Sequence, residues 1–208
     1  LTDTRALHEQ SWFLALKGAR FDAYDFLDQA KTAGSLGCIV SKAPPEWWTG
    51  GAVLVDDTTQ ALQDLGRYAR SKIDVPVVGL TGSSGKTTTR ALLALALSPL
   101  GDVHQTVGNL NNHLGVPMTL IAAPRDSAAL VVEMGTSSHG EIAFLAKLAT
   151  PTARLLLNIG PAHLLELGGL QGVAREKGAL FDTARAGDVA VLNADDPHLR
   201  GMTVPDGV

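Results

Sequence analysis

The sequence has almost no cysteine and no excess of basic residues. Cys38 is the single cysteine among 208 residues, so an internal disulfide is excluded and a reducing cytosol is indicated. Lysine and arginine number 17 against 21 aspartate and glutamate, a net charge of −4. Because nucleic-acid-binding domains carry a basic surface, this balance does not favour a nucleic acid as partner.

Long apolar runs are absent as well. No stretch approaches the ~20 residues of a membrane-spanning helix, and residues 1–10 are polar and charged, unlike a signal peptide. The composition, 45% apolar and 18% charged, is that of a globular protein with a buried core. We therefore expect a cytoplasmic protein without a membrane partner. The sequence also starts without Met, so we expect that its N-terminus is missing.

The most informative stretch is GLTGSSGKTTT at 79–89. It follows an apolar run at 75–78 and precedes a helix-forming run at 90–97. Strand, glycine-rich turn and helix are the setting of a phosphate-binding P-loop, in which backbone N–H groups and a helix N-terminus face the anion. The residues predicted to bind the phosphates of a nucleotide are Gly82, Ser83, Ser84, Gly85, Lys86, Thr87 and Thr88.

Two residues of this loop have more specific predicted roles. Lys86 would reach the terminal phosphates, and the Thr87 hydroxyl would bind Mg²⁺. The general pattern G-x-x-x-x-G-K-[ST] requires glycine at position 80, whereas this sequence has Leu80, with Gly79 one residue earlier. The alternative is a glycine turn with a chance lysine, which the correct spacing of the other loop residues disfavours.

The apolar pattern predicts an α/β protein with two domains. A small α/β domain at 1–72 has predicted strands at 11–16, 38–40 and 53–55 and helices at 26–32 and 58–70. A doubly wound, mostly parallel P-loop domain follows at 75–208. Its near-continuous apolar runs predict strands at 75–80, 129–134, 153–159 and 188–193, and helical spacing predicts helices at 86–97, 140–149 and 170–184.

Polar residues stand at the ends of the predicted central strands. Glu133 ends the second strand and His163 follows the third, and ligands of open α/β sheets bind beyond the carboxyl ends of the strands. Beside a P-loop, Glu133 is predicted to bind Mg²⁺, which prefers carboxylate and phosphate oxygens. The alternatives are a solvated strand end for Glu133 and a hydrogen-bonded loop residue for His163. Pattern alone makes Lys177 a solvated helix charge.

Six segments give the chain a resemblance to the Mur ligase family. The P-loop is shared by all members, and its Gly-Leu-Thr-Gly form explains the glycine at 79. The segments ALKGARFDAYDF at 15–26 and GNLNNHLGVPMTL at 108–120 resemble more narrowly the members that join D-alanyl-D-alanine to UDP-N-acetylmuramoyl-tripeptide. The other matching segments are DTR at 3–5, EMG at 133–135 with GEI at 140–142, and GPAHL at 160–164.

The resemblance implies an ATP-dependent ligase of peptidoglycan precursor synthesis that acts through an acyl phosphate. Its implied catalytic residues are Lys86, Glu133, His163 and Lys177, with one Mg²⁺ on Thr87 and Glu133 and a second on Glu133 and His163. Lys177 matches a family lysine that CO₂ carbamylates into a metal ligand, which requires a neutral amine. The implied substrate residues are Thr4, Arg5, Lys17, Arg20, Asn111 and Asn112.

Departures from the family pattern and two alternatives remain. Tyr24 replaces a family histidine, 136–138 replaces Ala-Asn-His, and the acidic residue after the loop histidine is displaced to Glu166. The alternatives are a Mur-like ligase for another amino substrate, such as diaminopimelate or glutamate, and a non-catalytic nucleotide-binding module. Because family members carry a C-terminal domain for the amino substrate, we expect a truncated, monomeric chain that is inactive alone.

Overall fold

The computed structural model describes residues 1–18 and 21–208. Within this part the chain forms two compact units, Leu1–Asp64 and Leu65–Val208. The strands are β1 (Trp12–Leu14), β2 (Gly37–Val40), β3 (Gly51–Leu54), β4 (Val77–Thr81), β5 (Val103–Gln105), β6 (Ala129–Glu133), β7 (Ala153–Leu156) and β8 (Val189–Leu192). The helices are α1 (Leu27–Thr32), α2 (Thr58–Arg70), α3 (Lys86–Leu97), α4 (Gly115–Ile121), α5 (Glu141–Ala149), α6 (Leu164–Leu167) and α7 (Leu170–Gly178).

The first unit is built on a parallel sheet of three strands, in the order β1-β2-β3. A 3-10 turn at Ala23–Phe26 leads into α1, and the Asp22 carboxylate accepts a hydrogen bond from the Tyr24 N–H at its start. Phe13, Leu27 and Val40 are fully buried in the core of this unit. The small core is consistent with a domain whose strands are only three or four residues long.

The second unit contains a parallel five-stranded sheet in the order β5-β6-β4-β7-β8. All five residues of β6 are buried, because helices cover both faces of a parallel sheet. The strands β5 and β6 lie on one side of β4, and β7 and β8 lie on the other side. The strand order therefore reverses at β4, where α/β sheets bind ligands. These observations confirm the predicted α/β class and the mostly parallel sheet.

The helix α2 is continuous through the point at which the two units divide. The sequence places the domain boundary at 72–75, whereas the compact units meet at Asp64 and Leu65. Ala69 and Ile73 pack against the core of the second unit, and Arg70 donates to the backbone oxygens of Ala149 and Thr150. The end of this helix is therefore held by the second unit before the chain reaches β4.

Several predicted elements differ from the observed ones. The ends of the strands shift by up to three residues, and the helix predicted at 170–184 stops at Gly178, followed by a 3-10 turn. In and after this turn, the carbonyl oxygens of Leu180 and Thr183 accept hydrogen bonds from the Arg154 guanidinium. The sequence did not predict β5, α4 and α6. The strand β5 and the helix α6 are short, and α4 contains a proline in its first turn.

The Leu80 departure from the P-loop pattern has a packing explanation. Leu80 lies inside β4, is fully buried, and pairs with Glu133 on β6. A Cβ on Gly79 would lie 2.6 Å from Cγ of Pro151, so glycine is needed there for close approach of the chain. Neither residue is part of the turn that faces a phosphate.

Gly79→Ala is expected to lower the free energy of unfolding by about 1–3 kcal/mol, since overpacking beside the rigid ring of Pro151 strains the core. The control is Gly201→Ala, which has open space around its Cβ and should change stability by less than about 0.5 kcal/mol. Chemical denaturation of the three proteins measures both values. Equal stabilities of the two variants would contradict the packing explanation.

Candidate nucleotide and metal site

The P-loop connects the end of β4 to the start of α3. Gly85 precedes the helix with φ +78°, a left-handed conformation that favours glycine. No side chain among the described residues caps this helix, so its first N–H groups face the loop opening. The ammonium group of Lys86 donates to the Gly82 carbonyl oxygen at 2.9 Å, which holds it beside the turn. A helix N-terminus, a glycine turn and a lysine together form an anion site.

The loop is anchored to the segment that follows β7. The Ser84 N–H donates to Asn158 Oδ1 at 3.0 Å, and the Ser83 N–H donates to the Asn158 carbonyl oxygen at 3.1 Å. The Ser83 hydroxyl in turn accepts from the Gly160 N–H at 2.8 Å. These bonds leave the two serines with partners inside the chain and give the loop a fixed shape. Asn158 was not among the predicted site residues.

Glu133 is the centre of the site. It ends β6, is buried, and its carboxylate accepts from three side chains. The Thr87 hydroxyl and Arg90 Nη1 each lie 3.2 Å from Oε2, and Asn111 Nδ2 lies 2.9 Å from Oε1. The alternative of a solvated strand end is therefore wrong. Thr87 and Glu133, predicted as one pair of metal ligands, lie side by side.

Arg90 is a site residue that the sequence analysis missed. It forms a buried ion pair with Glu133 and also donates to the Gly108 carbonyl oxygen at 3.0 Å. Its Nε is buried and has no hydrogen-bond partner among the described residues. The sequence feature that could have identified Arg90 is its position four residues after Lys86, which places both residues on one face of α3. Arg90 compensates the negative charge of a buried carboxylate.

Lys177 on α7 is buried, with 2% of its surface exposed. The default interpretation as a solvated helix charge is therefore wrong. Its ammonium makes no hydrogen bond or ion pair with any residue that the structure describes. Burial and the positive charge of Lys86 lower the pKa of Lys177 to about 8, against the opposing effect of Glu176. A lowered pKa increases the fraction of the neutral amine, which is the form that reaction with CO₂ requires.

The neighbouring Glu176 explains how α7 is held. Its carboxylate accepts from the N–H groups of Gly140 and Ile142 at 2.7 and 2.8 Å, at the start of α5. The hydroxyl of Thr136, one of the residues that depart from the family pattern, lies within hydrogen-bond distance of both the Glu141 and the Glu176 carboxylates, at 3.1 and 3.3 Å. The departing segment is thus part of a helix cap. This second carboxylate was also absent from the predicted site.

His163 occupies the rim of the site. It is exposed, and its φ of +53° places it in the left-handed region at the start of α6. It lines a cleft of about 380 Å³ with Lys86, Asn111 and Asn112. Asn112 Oδ1 accepts from the N–H groups of Leu114 and Gly115. Within residues 1–18 and 21–208, no three histidine, cysteine, aspartate or glutamate residues group closely enough to hold a metal.

The remaining predicted substrate residues lie in the first unit. Thr4 and Arg5 line a pocket of about 360 Å³ whose wall includes the perpendicular rings of Phe21 and Phe26. The Thr4 hydroxyl donates to Gln29 Oε1 at 2.9 Å. Arg5 forms an exposed ion pair with Asp3 in the same pocket, at 2.7 Å.

Lys17, a further predicted substrate residue, is not among the residues that line this pocket. Lys17 is exposed and pairs through its backbone with Asp22. Arg20 lies outside the described residues.

The fold and the site define a P-loop α/β domain of the nucleotide-binding class. The profile of the Mur ligase middle domain matches residues 80–206. The chain belongs to the Mur ligase family, which confirms the resemblance stated above.

Relatives and solved structures agree with this assignment. A UDP-N-acetylmuramoyl-tripeptide–D-alanyl-D-alanine ligase of Escherichia coli is 43% identical over 195 residues, 94% of this chain and 43% of that protein. MurF from Acinetobacter baumannii superposes with a TM-score of 0.89 at 39% identity, over 97% of this chain and 44% of that one.

MurF ligase from Thermotoga maritima in complex with ADP gives a TM-score of 0.85 at 34% identity, over 96% and 46% of the two chains. The chain thus spans less than half the length of the relatives it matches. No helix in the described ranges is long and apolar enough to cross a membrane.

Arg90→Met is expected to lower the free energy of unfolding by about 3 kcal/mol, because it leaves the Glu133 carboxylate buried without its positive partner. Arg90→Lys keeps the charge and should cost less. Adding Glu133→Gln to Arg90→Met should restore part of the loss, since no buried charge then remains unpaired. Urea denaturation measures the three values. A loss of less than about 1 kcal/mol in Arg90→Met would contradict this account.

Lys177→Met is expected to raise the free energy of unfolding at pH 7 by about 1–3 kcal/mol in buffer free of CO₂. The pKa of Lys177 is lowered from 10.5 to about 8 in the folded chain. Between these values the unfolded chain binds more protons, so the wild type gains stability as pH rises. The advantage of methionine is therefore complete below pH 8 and disappears toward pH 10.5.

The control for this substitution is Lys147→Met, which removes an exposed lysine on α5. It should change stability by less than about 0.5 kcal/mol at every pH. Denaturation of both variants and the wild type between pH 6 and 10 measures the differences. A gain in Lys177→Met that does not vary with pH would show that lost charge is not its cause.

Proposed function

We propose that the chain is part of an ATP-dependent ligase that joins D-alanyl-D-alanine to UDP-N-acetylmuramoyl-tripeptide in peptidoglycan precursor synthesis. The observation that carries this proposal is the buried Glu133 carboxylate in contact with Thr87 of the P-loop, with the buried amine of Lys177 close enough to Lys86 to be affected by its charge. A P-loop alone supports nucleotide binding. A buried carboxylate and a buried lysine of lowered pKa in the same part of the site support carboxylate activation.

The reaction class has two steps. The substrate carboxylate attacks the γ-phosphate of ATP, which forms an acyl phosphate and releases ADP. The amine of D-alanyl-D-alanine then attacks the acyl carbon through a tetrahedral intermediate, loses a proton and displaces phosphate. Because the carboxylate is already a nucleophile, the reaction needs charge neutralisation rather than a general base in its first step. Lys86 and the N–H groups at the start of α3 are suited to that task.

The donor set at Glu133 is suited to Mg²⁺. The metal takes few protein ligands together with phosphate oxygens and water, and a hydroxyl and a carboxylate 3.2 Å apart match that preference. When bound, Mg²⁺ would supply positive charge between the attacking carboxylate and the phosphates. Thr87 and Glu133 would hold one ion. A second ion on Glu133 and His163 stays a prediction, since the structure shows no contact between these two residues.

Lys177 is proposed to be carbamylated. Its neutral amine would attack CO₂, form a C–N bond and release a proton, giving a carbamate in place of an ammonium. The buried, unpaired position of Lys177 favours the loss of its charge. The carbamate would add an oxygen ligand to the metal site.

The first unit is proposed to receive the UDP-sugar part of the substrate. Its pocket combines the Thr4 hydroxyl and the Arg5 guanidinium with the rings of Phe21 and Phe26. A uracil ring can contact aromatic side chains, and phosphates can bind the arginine. Asn111 and Asn112 border the cleft in the second unit, where the peptide is proposed to end. Location in the cytoplasm and a monomeric state stay predictions.

Lys86→Ala is expected to weaken binding of Mg²⁺-ADP to the 208-residue chain at least tenfold, because it removes a charge-assisted hydrogen bond to phosphate. The control is Lys72→Ala, an exposed lysine outside the loop, which should bind within twofold of the wild type. Isothermal titration calorimetry measures both. Equal affinities of the two variants would overturn the nucleotide site.

The ligase is tested with the product of the whole reading frame, since relatives are more than twice as long. Mass spectrometry would follow consumption of UDP-N-acetylmuramoyl-tripeptide with ATP and D-alanyl-D-alanine. Incorporation of diaminopimelate or glutamate instead would support the other amino substrates. Binding of ADP without any amide product would support the non-catalytic alternative, which the intact Lys86, Thr87, Glu133, His163 and Lys177 disfavour.

A further inference from the structure

A second cleft of the Leu65–Val208 unit lies at the edge of the sheet opposite the P-loop. Its volume is about 570 Å³, within the range of small-ligand sites. Several of its residues come just before or at the start of β7 and β8, whereas the P-loop follows the end of β4. The residues that line it are Arg70, Lys147, Thr150, Pro151, Thr152, Arg154, Thr183, Arg185 and Asp188.

The lining of this cleft is strongly basic although the chain as a whole is acidic. It contains four cationic side chains and a single carboxylate, that of Asp188. Asp188 forms an ion pair with Arg154, at 3.0 Å. Burial lowers the pKa of Arg70. The negative charge of Asp74, outside the cleft, has the opposite but smaller effect on this pKa. The local excess of positive charge is therefore not balanced by the carboxylates around it.

Two of the cations also have a structural task. Arg70 donates to the carbonyl oxygens of Ala149, Ile73 and Thr150, and Arg154 donates to those of Leu180 and Thr183. These bonds satisfy backbone oxygens where helices end. They explain why both arginines are present, but a carbonyl dipole does not cancel a full positive charge.

The other two cations have no such task. Lys147 and Arg185 are exposed, and in the part of the chain that the structure describes their side chains make no hydrogen bond or ion pair. Three threonines, at 150, 152 and 183, add hydroxyl groups to the same lining. Arginine, lysine and threonine are the side chains that bind phosphate oxygens, the arginine through a planar set of donors.

We infer that this cleft binds a small anion with two phosphate groups, as in pyrophosphate or a nucleoside diphosphate, at a site separate from the P-loop. Lys147 and Arg185 would contact the anion directly. Arg70 and Arg154 would contribute positive charge from the cleft floor. The inference does not depend on the proposed ligase activity, because it uses no residue of the Glu133 site.

The test uses the 208-residue chain with Lys86→Ala, which removes the main cation of the P-loop. Calorimetry with pyrophosphate at low salt should still show one binding site. Backbone NMR signals of Thr152 and Thr183 should shift on addition of pyrophosphate. A parallel titration with ADP tells whether a nucleoside adds affinity to that of the two phosphates.

Two double variants in the same background decide the location. Lys147→Glu with Arg185→Glu should weaken pyrophosphate binding at least tenfold. Lys147→Gln with Arg185→Gln, a milder pair in case the first disturbs folding, should weaken it at least threefold. The matched pair is Lys72→Glu with Arg125→Glu, which changes two exposed cations elsewhere and should bind within twofold.

The result that overturns the inference is equally clear. It fails if the cleft variants, shown to be folded by their thermal transitions, bind pyrophosphate as tightly as the background protein. It also fails if the matched pair loses as much affinity, since binding would then reflect net charge alone. Shifts confined to the P-loop and absent from Thr152 and Thr183 would overturn it as well.

Discussion

A carboxylate buried at the end of a central strand costs free energy unless positive charge and hydrogen-bond donors surround it. Glu133 is such a carboxylate, and the residues around it are arranged to supply these groups. Arg90 comes from α3, Thr87 from the P-loop helix start, and Asn111 from the loop before α4. Two segments, α3 and the loop before α4, are thereby fixed relative to one strand end. The position of the P-loop in the site follows from this requirement.

The opposite imbalance is found at Lys177. The residue is as deeply buried as Glu133, yet no carboxylate forms an ion pair with its amine in the described part of the chain. The adjacent Glu176 is used instead for the N–H groups of Gly140 and Ile142. A protein that needed only stability would place an apolar residue at 177. The retained amine makes Lys177 a candidate for chemistry at the site, because ionisable groups of perturbed pKa cluster where function requires them.

Features that depend on residues close together in sequence were easier to predict than those that depend on residues far apart in sequence. The helix at 86–97 and the P-loop follow from local spacing, and the helix at 58–70 follows from its cap and its pattern. Glu133 was found because a parallel sheet brings the ends of its strands to one edge. The burial of Lys177 and the ion pair of Arg90 could not be predicted in this way. Both depend on which face of a helix the sheet covers.

Short elements and the ends of helices were also difficult to predict from the sequence. The strand β5 has three residues, too few for an alternating pattern to be distinguished from a loop. The helix at 170 ends at Gly178, and a carbonyl oxygen of the following turn accepts from Arg154, 26 residues from Leu180 in sequence. Such a contact has no signature in the local sequence. The sequence therefore predicts which segments exist better than it predicts where they end.

The direction of the chain explains why the two edges of the sheet differ chemically. In a parallel sheet with helical connections, helices begin at the carboxyl edge of the strands and end near the other edge. The carboxyl edge thus presents N–H groups, which suit phosphate and here lie beside Lys86. The other edge presents carbonyl oxygens, which require donors, and Arg70 and Arg154 supply them. Cations placed for that structural purpose make the second edge basic, so a single constraint of the fold generates positive charge at both ends of the same strands.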